Sequence, residues 1–142
     1  MIQFNYETDF KLDNHVQLAE WISNCIDDRG YTVGEINYIF CDDDYLVKLN
    51  VEFLEHDTFT DIISFDYTLD KLISGDIFIS IERVTENAQK FNQTFDNELN
   101  RVLIHGILHY LGFKDKLKED KLKMSAEEDK CLKLLSANHT KS

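Results

Sequence analysis

Residues 105–115 run His-Gly-Ile-Leu-His-Tyr-Leu-Gly-Phe-Lys-Asp, an H-x-x-x-H-x-x-G-x-x-D pattern. Two histidines four residues apart lie on one face of a helix, with Cβ atoms ~5–6 Å apart, so both rings can turn toward a single ion. Gly112 suits the left-handed conformation that ends a helix and reverses the chain, which returns Asp115 toward the histidines. Imidazole nitrogens and a carboxylate oxygen are ordinary ligands of zinc and other divalent transition metals, and three protein ligands leave a fourth position for water. The spacing therefore predicts one zinc ion, or another such metal, on His105, His109 and Asp115, in a site of the open, catalytic kind. The plainer alternative is two helix histidines against the core and an aspartate on a surface loop. Continuation of the pattern through a helix-breaking glycine to a carboxylate favours the ion.

Metzincin proteases use the same histidine and glycine frame, but zinc proteases carry Glu after the first His as general base. Here that position is Gly106. Peptide hydrolysis by the usual route is thereby disfavoured, whereas a metal that polarises a phosphoryl oxygen or lowers the pKa of water to ~7 leaves phosphodiester chemistry open. Other groups are weaker candidates. His56, in Glu55-His56-Asp57, is either a catalytic or phosphate-contacting group or an ordinary loop histidine. Lys114, beside Asp115, is a second catalytic candidate. Asp61 and Ser64 would line a cleft, though Asp61 equally suits a turn or strand-start cap. His15 and His139 have no partner pattern and read as surface residues.

Several elements must position these groups. Residues 2–6 read as a strand. Leu12, Val16, Ala19, Ile22 and Ile26 recur at helical spacing, with Asp13 as N-cap and Gly30 as stop. Residues 35–40 alternate, placing Ile36, Tyr38 and Phe40 on one face of a strand. Asp42, Asp43 and Asp44 favour the positive end of a second helix with an apolar stripe of Tyr45, Leu46, Leu49 and Phe53. Residues 61–67 and 75–81 are β-rich, the latter with Ile77, Ile79 and Ile81 on one face, and a helix follows over about residues 82–91. The metal-bearing helix has Leu99, Val102, Leu103, Ile107 and Leu111 as its apolar pattern and ends at Gly112. After a lysine-rich loop, Ser125-Ala126-Glu127-Glu128 fits a capping box opening a final helix through Leu132 and Leu135. Trp21 and Met124 read as packing residues. The fold class predicted is α+β: one domain over residues 1–142, a mixed sheet of about four strands packed with about five helices. The metal-site segment spans about residues 98–124, with fraying after about residue 136.

Bulk composition narrows the function. A chain of 142 residues, 43% hydrophobic and 30% charged, suits one soluble domain with a real core. Cys25, Cys41 and Cys131 show no CxxC spacing and read as reduced, buried thiols. No run approaches the ~20 apolar residues of a membrane span, and the first residues lack the pattern of a signal peptide, so the expectation is cytoplasmic. A net charge of −12 weighs against a broad nucleic-acid surface, because phosphate binding is driven largely by Lys and Arg. The basic residues are nevertheless clustered: Lys114, Lys116, Lys118, Lys121 and Lys123 surround Asp115. Alone, that cluster reads as a solvated charged loop partly cancelled by Glu119 and Asp120.

Four stretches, in fixed order, carry a family resemblance. Residues 105–115 resemble the H-G-x-L-H-x-x-G-Y-D-H signature of the YbeY family, bacterial rRNA maturation factors described as single-strand endoribonucleases. Thr60-Asp61-Ile62-Ile63-Ser64-Phe65 is similar to its T-[DN]-V-L-S-F block, and Gly75-Asp76-Ile77-Phe78-Ile79-Ser80 to its G-D-I-x-I-S strand. Glu98-Leu99 sits where the family has an E-L pair, so the resemblance covers about residues 45–130. It implies a four-stranded sheet packed with helices, a zinc-like ion, and a metal-dependent, single-strand-specific endoribonuclease of rRNA maturation and ribosome biogenesis. The implied partners are an rRNA precursor and the small ribosomal subunit, with Lys114, Lys116, Lys118 and Lys121 steering the strand. Two positions depart from the family pattern. The third metal ligand, usually His, is Asp115, and the arginine of an N-x-x-Y-R stretch is missing, since the matching residues are Asn50, Phe53 and Leu54. The alternative is a non-catalytic assembly factor with a structural metal, binding a ribosomal protein or an assembly GTPase; the acidic net charge and the absent arginine favour it.

Overall fold

The computed structural model describes residues 1–54 and 60–140. Among these, strands and helices follow in the order β1 (Ile2–Tyr6), α1 (His15–Asp28), β2 (Thr32–Cys41), α2 (Asp43–Leu54), β3 (Ile62–Asp66), β4 (Leu72–Ser80), α3 (Ile81–Lys90), α4 (Phe95–Tyr110) and α5 (Lys118–Thr140). The strands form one sheet ordered β1-β2-β4-β3. β1 pairs parallel with β2, and β2 parallel with β4, which requires crossover connections; β3 pairs antiparallel with β4. This is the mixed α+β architecture that the sequence pattern predicts.

Alternation along β2 and β4 sends Ile36, Tyr38, Phe40, Ile73, Ile77 and Ile79 to one face, all fully buried. α1 covers that face with Leu18, Trp21, Ile22, Cys25 and Ile26, and α4 with Leu99, Leu103 and Ile107. Each such side chain removed from water contributes about 1.5–3 kcal/mol before entropy is counted. Three hydrogen bonds tie the layers together. The Tyr38 hydroxyl donates to the Leu103 carbonyl at 2.8 Å, fixing α4 over the sheet. Trp21 Nε1 donates to the Cys131 carbonyl at 2.6 Å, fixing α5 to α1. The Tyr110 hydroxyl donates to the Phe65 carbonyl at 3.0 Å, in space that a Cβ at Gly75 would occupy. α2 packs on the opposite face, where Leu46 meets Cys41 and Ile63. All three cysteines are free and buried.

Several element boundaries differ from expectation. The N-cap of α1 is Asn14 rather than Asp13, and Val16 is 67% exposed, because the larger Leu18 and Trp21 rotate the buried stripe away from it. Tyr45 and Phe53 of α2 are exposed and lie at the edge of the contact, Tyr45 stacked on Phe78 and Phe53 edge-on to Phe65. Ile81 belongs to α3, not to the strand: the Ser80 hydroxyl accepts from the Arg83 amide and starts a helix there. Ser125 does not open the last helix. α5 begins at Lys118, with Glu119 and Asp120 in its first turn, so the predicted lysine-rich loop is partly helical.

Candidate metal centre

α4 opens at Thr94, whose hydroxyl accepts from the Asn97 amide at 3.1 Å, and it carries His105 and His109 on its last two turns. Its end is a Schellman turn: Gly112 takes φ 101, its amide bonds to the His109 carbonyl at 3.0 Å, and the Phe113 amide bonds to the Leu108 carbonyl at 3.0 Å. The reversal carries Asp115 back over the helix end. Asp115 Oδ2 lies 3.2 Å from His105 Nε2 and 3.2 Å from His109 Nε2, and the two Nε2 atoms lie 3.0 Å apart. The rings cross at 83°. His105, His109 and Asp115, predicted together, are thus brought together, and all three are half-buried.

The far side of each ring fixes its tautomer. His109 Nδ1 faces the Phe113 carbonyl at 3.0 Å, and His105 Nδ1 faces Glu128 Oε2 at 2.6 Å. Both partners only accept, so each Nδ1 holds the proton and each Nε2 turns a lone pair toward Asp115. Three acceptor atoms so close repel one another unless a proton or a metal cation sits among them. Tetrahedral coordination with bonds of ~2.0–2.1 Å separates ligand atoms by about 3.3 Å, close to the distances seen here. The donor set therefore fits a divalent transition metal.

Glu128 is 5% exposed and fully engaged: Oε2 meets His105, and Oε1 accepts from Arg101 Nη1 at 2.7 Å. Arg101 Nη2 donates to Asp129, also at 2.7 Å. Burial lowers the proton affinity of His105, but the Glu128 hydrogen bond and charge, with Asp115 and Asp61 nearby, outweigh burial and raise it. Burial raises the Asp61 carboxyl, and burial with the charge of Asp61 raises Glu98.

His105 and Asp115 border a cleft of about 570 Å³ whose lining also includes Asp61, Glu98, Arg101, Lys121 and Glu128. Asp61 therefore lines the cleft as one of its two expected roles, whereas Ser64 lies outside that lining, beside Tyr110. Lys114 and Lys116 are exposed on the connection around Asp115; Lys118 and Lys121 are exposed on α5. His56 lies outside the described residues. Gly106 faces the sheet, where a Cβ would approach Ile77 Cδ1 to 3.1 Å and Ile62 Cδ1 to 3.2 Å. Sequence reasoning missed Arg101 and Glu128 and gave Glu98 no role. Glu98 and Arg101 sit seven and four residues before His105, on its helix face, and that periodicity is a usable signal. Glu128 is 23 residues beyond His105 and carries no local signal.

A family model described as Endoribonuclease YbeY matches residues 3–136. The chain is 60% identical over 129 residues to the Endoribonuclease YbeY of Flavobacterium johnsoniae, covering 91% of this chain and 93% of that protein. It is 44% identical to that of Karelsulcia muelleri, covering 91% and 92%. Among solved structures, the solution structure of TM1509 from Thermotoga maritima superposes with a TM-score of 0.67 at 29% identity, covering 100% of this chain and 96% of that one.

Proposed function

The chain belongs to the YbeY endoribonuclease family, and from its site we propose that it cleaves single-stranded RNA in rRNA maturation with one zinc ion on His105, His109 and Asp115. The observation that carries this is the convergence of two Nε2 lone pairs and one carboxylate oxygen within 3.2 Å, beside an open cleft. A bound ion supplies a Lewis acid for a phosphoryl oxygen and brings the pKa of water toward ~7.

The protein's own groups prepare that chemistry. Glu128 and the Phe113 carbonyl hold the Nδ1 protons of His105 and His109, so the ligand nitrogens need no reorganisation. Arg101 anchors Glu128. Lys114, Lys116, Lys118 and Lys121 put positive charge at the triad's border on a molecule of net charge −12, which confines an RNA strand to this edge. Lys114 and His56 are the candidates for proton transfer or phosphate contact. The substrate in this proposal is an rRNA precursor on the small ribosomal subunit, in the cytoplasm; no described helix is long and apolar enough to cross a membrane. A non-catalytic assembly role is not favoured, because the matching relatives are named endoribonucleases and His105 and Asp115 line a cleft.

Metal content measured by mass spectrometry on wild type, His105→Ala and Asp115→Ala tests the site. Near-stoichiometric metal in wild type, lost from both variants, is expected. Cleavage of rRNA fragments is expected to vanish in His109→Ala while the fold persists. Failure of wild type to take up added zinc, or wild-type cleavage by His109→Ala, overturns the proposal.

A further inference from the structure

Beyond the triad, the cleft continues along α4 to a side chain that metal binding does not use. Glu98 lies two helical turns before His105 on the same face, roughly 10 Å along the axis. It is 7% exposed and lines the cleft. Among the described residues no hydrogen bond or ion pair is seen at its carboxylate, and since no fully enclosed side-chain oxygen lacks a partner there, its oxygens open on the cleft. Arg101, the neighbouring cation, directs its terminal nitrogens to Glu128 and Asp129 instead. A carboxylate so largely buried can be met by donors only from the cleft, and its presence at that wall points to a ligand that brings them. A second metal ion is the poorer occupant. Among the described residues only His105, His109 and Asp115 come close enough together to share one ion; Asp61, Glu98 and Glu128 do not.

The rim describes the ligand further. Phe91 is 52% exposed and lines the same cleft, which gives a flat apolar surface for stacking. Lys121, also on the lining and exposed, suits a phosphate. An aromatic ring, a donor-seeking carboxylate and a lysine, one helix face away from a phosphodiester-cleaving ion, match a nucleotide whose base is unpaired. The two oxygens of a carboxylate match two parallel N–H groups. Of the four bases only guanine presents adjacent N1–H and N2–H donors. Uracil sets its single N–H between two carbonyl oxygens that would face the carboxylate, and cytosine and adenine pair one amino donor with an acceptor nitrogen.

We propose that this cleft is a nucleobase subsite that takes a guanine next to the scissile phosphodiester, with Glu98 accepting from N1–H and N2–H and Phe91 stacking at the rim. The proposal rests on the endoribonuclease reading above, and binding separates the two. Dissociation constants are measured for the metal-loaded protein with 2′-O-methyl oligonucleotides identical except for G, A, C or U at one position. The guanine ligand is expected to bind about tenfold tighter than the uracil ligand, the scale of one bidentate base contact. Glu98→Gln, nearly isosteric, is expected to bring that ratio to within about twofold, since it replaces one acceptor by a donor. Glu98→Asp, a check if the amide variant folds poorly, keeps the charge but retracts it and is expected to weaken the preference. Phe91→Ala is expected to weaken all four ligands alike. Equal affinities for the four bases in wild type, or a guanine preference that survives in Glu98→Gln, overturns the subsite. Cleavage of a mixed-sequence single strand is scored separately. Its absence in wild type speaks against the endoribonuclease, while the base comparison still decides the subsite.

Discussion

His105 is gripped from both sides, and the grip on its outer nitrogen is the more vulnerable. Its Nδ1 depends on a side chain, Glu128 at 2.6 Å, whereas that of His109 depends on the Phe113 main chain. Glu128→Gln keeps the shape but removes the charge that favours a protonated Nδ1. Metal affinity is expected to fall 10–100-fold, read by competition of the apo protein with a chromogenic chelator. Gly106→Ala probes the opposite face of the same turn. A methyl there meets Ile77 and Ile62 at 3.1–3.2 Å, and chemical denaturation is expected to show a loss of about 1–3 kcal/mol. Glutamate at this position, as in zinc proteases, would start from a Cβ directed at the sheet, so the fold itself argues against protease chemistry. At this scale the convergence of His105, His109 and Asp115 was legible because its geometry is local: i, i+4 histidines, a glycine that ends the helix, and a short return. Glu128 was not legible, because its contact exists only once two distant helices pack.

At the scale of elements, α5 is the piece that sequence pattern placed least well. The capping-box spacing at Ser125 competes with acidic residues at 119 and 120 that already favour a helix N-terminus, and the earlier start wins. Ile81 failed similarly: period-two alternation continued past the strand, while Ser80 capped a helix. The strands were easier to read, since Ile36, Tyr38 and Phe40 alternate cleanly between a buried and a partly exposed face. α5 is locked to α1 by Trp21 and by Arg29, whose Nη2 lies 2.6 Å from Glu127 Oε2. The Arg29 hydrogen bond holds the Glu127 carboxyl below its ordinary value of 4.5. A carboxyl whose folded pKa is depressed stabilises the fold above its unfolded pKa, and that contribution is lost as pH falls through the folded value. Glu127→Gln is therefore expected to cost roughly 1 kcal/mol near neutral pH, with the gap to wild type closing in acid below about pH 4. Urea denaturation across that range checks it.

For the whole molecule, electrostatics and topology act together. Twenty-seven acidic residues against 15 basic ones leave a net charge of −12 that opposes RNA association, and five of the 15 fall within residues 114–123 around Asp115. Replacing Lys114, Lys116, Lys118 and Lys121 with Gln is expected to raise the KM for single-stranded RNA while leaving kcat little changed. The slope of log affinity against log salt should flatten by about 0.7 for each phosphate contact removed. Unchanged salt dependence would place the RNA elsewhere. Net charge alone pointed toward a protein partner; the metal pattern, the family resemblance and the clustering of the lysines, all visible in the sequence, kept the nucleic-acid reading open.

The dependence of His105 on α5 also orders events in time. α4 and the turn back to Asp115 form from neighbouring residues, whereas Glu128 reaches His105 only when α5 packs against α4. Until α5 is synthesised and docks through Trp21 and Arg29, the His105 ring lacks its Glu128 anchor, and an ion there is weakly held. A partly folded molecule is thus a poor nuclease, and competence arrives only with the closing helix.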